Sequence, residues 1–563
     1  MSSSSKARST HRTASDTRGG GAPTQRDFLQ RCLNGLARQR QTCRAPERAT
    51  VSVLADVIDQ AKGTRFGSDH ALDRVRTLAE FKDACPISGY ASLRPYIERI
   101  REGDAHALTA DAPYAFLATS GTSGESKLIP TTRHWRDRYR GAALYGQWGL
   151  YFHTLRVKSL SPDSFFDMTW ERNPVDPTKM EGALPVYSIT KRPTSVSPQD
   201  WTPPWFDEPW FLGDGSDGGT LYRKMRILAS SAVLGIVSVN PSRITALAQE
   251  LNENADRLIS DLRRGTLDGH PRPARLKEDP ALAKRLEMML RREGRLLLTD
   301  LWPSLRLLVA WNSASARFYR GWLEVSAPKL PVIPFSTTGT EGIVTIPVDS
   351  HRSAGPLAID QGIYEFVPVT EETSAAAIAP DAETLSYDEL QVGAQYRLVM
   401  TQANGLYRYD LGDIYQVVGW VGRLPRLEFV LRAGTVASFT GEKLSESDVH
   451  TAMRAVWADT TDDLPAFTVV PVWGQPPHYR LLLEGDGSGE RWAQRMDEEL
   501  CRLNMEYAEK RGTHRLAPVQ ATVLPFGTFK RLASRRLTRA SAAQVKHHWL
   551  QADARLLDEL DSL

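Results

Sequence analysis

The chain has 563 residues, enough for roughly two to four domains, and its 41% hydrophobic and 24% charged residues match a soluble protein with a sizeable core. Its 70 basic and 67 acidic residues leave a net charge of +3, which argues against a dedicated nucleic-acid binder. Four cysteines (Cys32, Cys43, Cys85 and Cys501) with neither C-x-x-C nor metal-ligand spacing point to a reducing, cytoplasmic setting without a disulfide framework. The first 24 residues are rich in Ser, Arg, Thr and Gly and read as a disordered tail, with no apolar stretch of a secretory signal. Helical spacing follows over 25–82, carried by Phe28, Leu29, Cys32 and Leu36 and then by Val53, Leu54, Val57 and Ile58. Another helix is expected over 90–100.

Residues 115–118 and 128–129 are apolar and flank Thr119, Ser120, Gly121, Thr122, Ser123, Gly124, Glu125, Ser126 and Lys127. The pattern predicts a strand, a tight loop and a second strand. Such a loop presents backbone N–H groups, hydroxyls and one lysine to an oxyanion, so it suits a phosphate. It is neither a Walker A loop nor a nucleophile elbow, and a surface turn of small polar residues remains an alternative. Residues 133–150 read as a helix whose Trp135, Tyr139, Tyr145 and Trp148 are either core or the wall of an apolar substrate pocket. The stretch 161–220 has poor periodicity. Its Gly213–Gly218 segment formally matches G-x-G-x-x-G but lacks a preceding strand and is rejected as a dinucleotide motif. The apolar run 227–239 falls short of the ~18 residues of a membrane span and is closed by Asn240-Pro241.

From 304 onward short β-branched runs predict strands at 307–310, 332–335, 342–346, 364–368, 396–401, 414–418, 427–431, 467–472 and 479–483. Helices are expected at 446–457, 489–511 and 540–560, and 485–489 reads as a hairpin loop. The order of elements after about 430 suggests a compact α/β module. Three further polar stretches stand between these elements. Ser336, Thr337, Thr338, Gly339, Thr340 and Glu341 offer amides, hydroxyls and one acid, a set that suits a nucleotide edge and a Mg²⁺ ligand. Gly405-Leu406-Tyr407-Arg408-Tyr409-Asp410-Leu411-Gly412-Asp413 ends on an acid after a glycine, placed at a strand end, where it can hold ribose hydroxyls. Arg432, Gly441-Glu442-Lys443-Leu444-Ser445-Glu446 and the late Gln544-Val545-Lys546 complete the set.

Taken in order, these stretches resemble the motifs of the GH3 family of acyl-acid amido synthetases, within the adenylate-forming ANL superfamily. The resemblance runs from about residue 25 to 550 and includes Gly527-Thr528-Phe529 and 540–546. Two departures stand out. Thr337 occupies a position that is usually aromatic, which leaves Phe335 or Tyr364 to cover the adenine. His547-His548-Trp549 follows the late lysine, where plant members have Pro-Arg around it. The resemblance implies an α/β fold: a large N-terminal domain (25–431) of β-sheets and a distorted barrel flanked by helices, and a small C-terminal α/β domain (432–563). It places a hinge near 431–434, where Gly434 can absorb a large change of φ and ψ.

The same resemblance implies ATP and Mg²⁺ as cofactors, and a small carboxylic acid and an amine or amino acid as substrates, without a membrane or nucleic-acid partner. It assigns the β and γ phosphates to 119–127, the metal to Glu341, the ribose to Asp413 and hinge-side assistance to Arg432. Lys546 would bring positive charge to the α-phosphate, with Lys443 and Glu341 as further catalytic candidates. Two other readings stay open: adenylation with a thiol or alcohol acceptor, and a catalytically silent protein that binds a small acid or AMP. Aromatic residues in 135–151 and the Trp-rich 201–211 hint at an aromatic or apolar acyl pocket.

Overall fold

The structure, a computed structural model, describes residues 24–118, 127–169, 171–173, 180–188, 191–193, 203–205, 220–267, 270–271, 276–313, 316, 319–370, 377–433, 436–437, 442, 444–458, 464–474, 476–512, 516–537, 548–551 and 554–562. Of the expected tail only Thr24 falls within them. It is the N-cap of the first helix, Gln25–Arg44, its hydroxyl oxygen accepting the Asp27 N–H at 3.2 Å. Helices Glu47–Ala61 and Tyr90–Arg101 follow as the apolar spacing predicts. Strands Pro113–Ala118 and Leu128–Thr132 form the expected antiparallel pair, with Ala118 opposite Leu128 at the mouth of the first polar stretch.

The single helix expected over 133–150 is broken. A turn of α-helix, Arg133–Trp135, passes into a π-helical turn, Arg136–Gly141, before the α-helix Ala142–Leu155. The aromatics there are packing residues: Trp135, Tyr139, Trp148 and Tyr151 are all buried. Trp148 and Trp205 meet with ring centroids 5.0 Å apart and share Phe165. Trp148 also meets Tyr151 and Phe152, and Phe152 and Trp205 meet Phe28 of the first helix, which favours the core reading for this group.

A four-stranded parallel sheet follows, in the order Val332–Pro334, Leu307–Ala310, Gly235–Val237, Phe165–Asp167. All its carboxyl ends open at one edge, where α/β sheets place their ligands. The expected distorted barrel corresponds to a five-stranded antiparallel sheet: Gly355–Pro356, Leu424–Arg432, Leu406–Val421, Gln395–Gln402 and Ile363–Pro368. In the C-terminal part, Phe467–Val472 pairs with His478–Glu484, which pairs in parallel with Gln520–Leu524. A parallel pair needs a crossover. The segment 485–489 therefore leads into helix Glu490–Leu503 and is not a hairpin loop.

Two large apolar cores dominate the described residues. The larger runs from Phe28 to Leu427 and the smaller from Ile414 to Leu550. Trp311 and Phe429 pack against both, their rings 5.5 Å apart. Helix Thr528–Leu537 touches the N-terminal helix Pro241–Glu253. There burial lowers the Lys530 pKa, against the pull of Glu253. No described helix is long and apolar enough to cross a membrane.

Candidate active site

Strand Val332–Pro334 delivers the second polar stretch directly to the carboxyl edge of the parallel sheet. Thr337–Thr338 and Ile343–Thr345 form a hairpin, with Thr337 opposite Thr345 and the hydroxyls of this pair 3.0 Å apart. Gly339 N–H donates to the Gly342 carbonyl at 2.9 Å. A Cβ at Gly339 would stand 2.8 Å from Glu341 Oε2, so the carboxylate lies over the hairpin tip. Glu341 is 6% exposed and Thr340 9%, while Thr337 and Thr338 are half-buried. Ser336 donates its hydroxyl to Gln147 Oε1.

One cation the sequence did not single out joins this hairpin. Both Nη atoms of Arg140 donate to the Gly339 carbonyl at 3.0 Å, and Nη2 reaches Thr338 Oγ1 at 3.4 Å. Its guanidinium lies 5.3 Å from the Trp135 ring centroid. Burial lowers its pKa to about 10, while Glu341 and Tyr114 oppose the shift. It therefore remains charged at neutral pH. Arg140 comes from the π-helical turn, the kind of one-residue excess that re-aims side chains at functional sites.

The third polar stretch is a corner inside strand Leu406–Val421 and not its end. Val399 pairs with Asp410 and Arg397 with Ile414, so one residue on one strand opposes three on the other. This bulge leaves Gly412 and Asp413 out of the ladder with Gln395–Gln402. Gly412 adopts φ +75° and its carbonyl accepts the Ala433 N–H at 2.6 Å. Asp413 is half-buried and sits opposite Arg432 on the neighbouring strand, whose side chain lies outside the described atoms. The bulge thus ties the acid to the segment where the chain leaves for the C-terminal part.

Most polar groups around Asp413 are already used. Arg408 is 4% exposed and pairs bidentately with Glu365, Nε–Oε1 2.9 Å and Nη2–Oε2 2.8 Å. Its Nη1 donates to the carbonyls of Lys82 and Cys85 at 3.0 and 2.8 Å. Arg408 also holds φ +40°, rarely adopted by a side-chain-bearing residue. Asp410 takes Arg397 bidentately, and the Tyr407 hydroxyl donates to the Leu108 carbonyl at 2.7 Å. Tyr409 is different. Its hydroxyl accepts from Lys127 Nζ at 3.2 Å, and the ammonium lies 5.9 Å from the Tyr409 ring and 5.8 Å from that of Tyr90. The end of the first polar stretch thereby meets the third across the fold.

Thr119, Ser120, Gly121, Thr122 and Ser123 lie outside the described residues, as do Gly213–Gly218, Lys443 and Lys546. Tyr364 lies among the described residues. It is 3% exposed in the large core and donates its hydroxyl to the Ile343 carbonyl. Phe335, at 7%, is likewise packed in that core. Among the described residues no three His, Cys, Asp or Glu side chains gather as a ready metal site. A single carboxylate such as Glu341 is nonetheless what a nucleotide-borne Mg²⁺ requires from a protein.

In the C-terminal part the acids of the fourth stretch point inward. Glu442 is fully buried and accepts the Tyr479 hydroxyl at 2.6 Å. Glu446 opens helix Glu446–Trp457 and accepts the Trp549 backbone N–H at 2.7 Å. The helix expected over 540–560 is replaced, where described, by an extended segment at 548–551. Val469 bridges Leu550 in parallel, and a helix resumes only at Arg555–Asp561. Arg140, Tyr409 and Glu446 are the polar contacts that sequence reasoning passed over. Only the last two lay inside recognised motifs, so only they carried a signal.

Comparison with known proteins covers most of the chain. Residues 35–332, 355–432 and 447–555 match the N-terminal, central and C-terminal domains of the GH3 family. The indole-3-acetic acid-amido synthetase GH3.4 of Arabidopsis thaliana is 25% identical over 541 residues, spanning 89% of this chain and 88% of its own. The indole-3-acetic acid-amido synthetase GH3.8 of Oryza sativa subsp. indica is 25% identical over 553 residues, spanning 88% and 86%. The solved structure of AtGH3.15 acyl acid amido synthetase in complex with 2,4-DB has a TM-score of 0.73 at 18% identity, covering 95% of this chain and 96% of that one.

Proposed function

The chain belongs to the GH3 family, and from that premise we propose that it is an acyl-acid amido synthetase. It joins a small carboxylic acid to an amine through an acyl-adenylate. In the first half-reaction a carboxylate oxygen attacks the α-phosphorus of ATP, the acyl–O–P bond forms and pyrophosphate leaves. In the second, the amine nitrogen attacks the acyl carbon, the amide bond forms and AMP leaves. Bound Mg²⁺ supplies charge neutralisation of the phosphates; the chain's own residues do the rest.

The observation that carries this reading is the contact of Lys127 Nζ with the Tyr409 hydroxyl, which unites motifs 282 residues apart. Lys127, with the hydroxyls and amides of 119–123, holds the pyrophosphate side. Asp413 accepts from the ribose hydroxyls. Glu341 offers the metal its carboxylate, and the hairpin amides and hydroxyls of Thr337, Thr338, Gly339 and Thr340 line the nucleotide edge. Arg140 adds a fixed positive charge beside Glu341, where the acid's carboxylate must be brought up to an anionic phosphate. Lys546 supplies charge during adenylation, with Lys443 and Arg432 assisting from the C-terminal side. The C-terminal part, 432–563, turns about 431–434 between the half-reactions. The free cysteines, three of them buried, support a cytoplasmic setting.

The test is acid-dependent release of pyrophosphate from ATP, measured over a broad panel of carboxylic acids. Mass spectrometry of products formed with amino acids, coenzyme A and alcohols identifies the acceptor. An amide product supports the proposal. A thioester or ester would move the protein to the other acceptor class, and no pyrophosphate release with any acid would leave it a silent binder.

A further inference from the structure

Glu446 stands in the first turn of helix Glu446–Trp457, yet it does not cap that helix. Ser445 and Asp448 do so reciprocally, with Asp448 N–H to Ser445 Oγ at 3.1 Å and Ser445 N–H to Asp448 Oδ2 at 2.9 Å. The Glu446 carboxylate, 5% exposed, instead crosses to the end of the chain. Its Oε1 accepts the Trp549 N–H at 2.7 Å and lies 3.7 Å from His548 Nδ1. One turn along the same helix, the His450 ring stacks on the Trp549 indole, centroids 4.1 Å apart and planes 27° apart.

The opposite side of the segment is held equally firmly. Thr468 donates its hydroxyl to the His548 carbonyl at 2.7 Å, Val469 N–H donates to the Trp549 carbonyl at 2.7 Å, and Gln551 N–H donates to the Val469 carbonyl at 2.8 Å. Residues 548–551 therefore form an added edge on strand Phe467–Val472. A buried carboxylate is costly unless its hydrogen bonds are strong. Burying one to seize a backbone N–H marks a point in the chain that has to stay put.

That point is three residues after Lys546. Three extended residues span at most about 10 Å, so the anchor confines where the Lys546 ammonium can be delivered. We propose that Glu446 is a positioning residue: by holding the Trp549 N–H it tethers the chain three residues after Lys546, and so governs adenylation rather than aminolysis. The proposal rests on the reading that Lys546 acts in the first half-reaction.

The test compares Glu446→Ala, Glu446→Gln, Lys546→Ala and the double variant Glu446→Ala/Lys546→Ala in the full-length protein. Acid-dependent ATP–pyrophosphate exchange reads the first half-reaction, and aminolysis of a supplied acyl-adenylate reads the second. Glu446→Ala is expected to lower exchange by up to about 10²-fold, the cost of a small misplacement, and to leave aminolysis unchanged. Glu446→Gln keeps an acceptor oxygen and is expected to restore exchange. The double variant is expected to be no slower in exchange than Lys546→Ala, because the two residues act as one unit.

Should Glu446→Ala fail to fold, Thr468→Val removes the bond on the other side and is expected to give a weaker loss with the same selectivity. Equal loss of both half-reactions in Glu446→Ala, or in Thr468→Val where Glu446→Ala is unfolded, would overturn the proposal. Multiplying effects in the double variant would do the same. Full exchange in Lys546→Ala would overturn it through its premise, and that outcome is told apart because Glu446 is not involved.

Discussion

The second and third motifs use their polar residues in opposite ways. In the hairpin 336–342 Thr337 and Thr338 stay half-buried and Glu341 rests over a glycine tip, with one arginine, Arg140, brought in from outside. In 405–413 the charged side chains of Arg408 and Asp410 are consumed by Glu365 and Arg397. The bulge sets Asp413 apart from the ladder with Gln395–Gln402, and the Tyr409 hydroxyl accepts from Lys127. A motif therefore marks scaffold as much as catalysis. Separating the two requires knowing which polar atoms the fold has already satisfied.

Variants can test this division, because scaffold residues should lose stability and chemical residues should lose rate or affinity. The largest effect is expected for Arg408→Ala, which leaves the 2%-exposed Glu365 carboxylate without its guanidinium, held by the Thr384 hydroxyl at 2.6 Å and a 3.7 Å contact to Lys82. Breaking a buried ion pair on one side costs about 3–5 kcal/mol. Thermal and denaturant unfolding should show that loss, and an unfolding midpoint equal to that of the parent would break the comparison.

Lys546→Ala comes next. Removing one group that stabilises developing charge costs about 10²–10³-fold in rate. Pyrophosphate exchange should fall by that order with unfolding unchanged and aminolysis of a supplied adenylate spared. Asp413→Ala should weaken ATP binding by about 1.5–3 kcal/mol, the range for a hydrogen bond to a charged group. Calorimetric titration with ATP measures it, and unchanged affinity would return Asp413 to the scaffold class. The smallest effect belongs to Tyr409→Phe. It removes one hydroxyl contact of Lys127, worth about 0.5–1.5 kcal/mol, and should appear as a raised KM for ATP with the unfolding midpoint held.

Much of the architecture was legible because its signals are local. Alternating apolar residues marked the strands, helical spacing marked Gln25–Arg44 and Glu47–Ala61, and small polar residues between apolar runs marked the hairpin closed by Ala118 and Leu128. The errors share one cause, which is competition from distant partners. Residues 548–551 read as helix, but the free edge of Phe467–Val472 captures them. The segment 485–489 read as a hairpin, but a parallel neighbour at Gln520–Leu524 demands a crossover. Tyr364, Trp135, Tyr139 and Trp148 are chemically able to line a pocket, and only the packing shows that they are buried in the large core.

By itself the sequence determined the family, the order of the polar stretches and the residue types each brings, since those are written in contiguous residues. Tertiary structure alone decided which of them meet. The π-helical turn aims Arg140 at Gly339, the bulge sets Asp413 opposite Arg432, and Glu446 reaches Trp549 across 103 residues. Each depends on backbone geometry and on partners far away in the chain, and no local spacing encodes either.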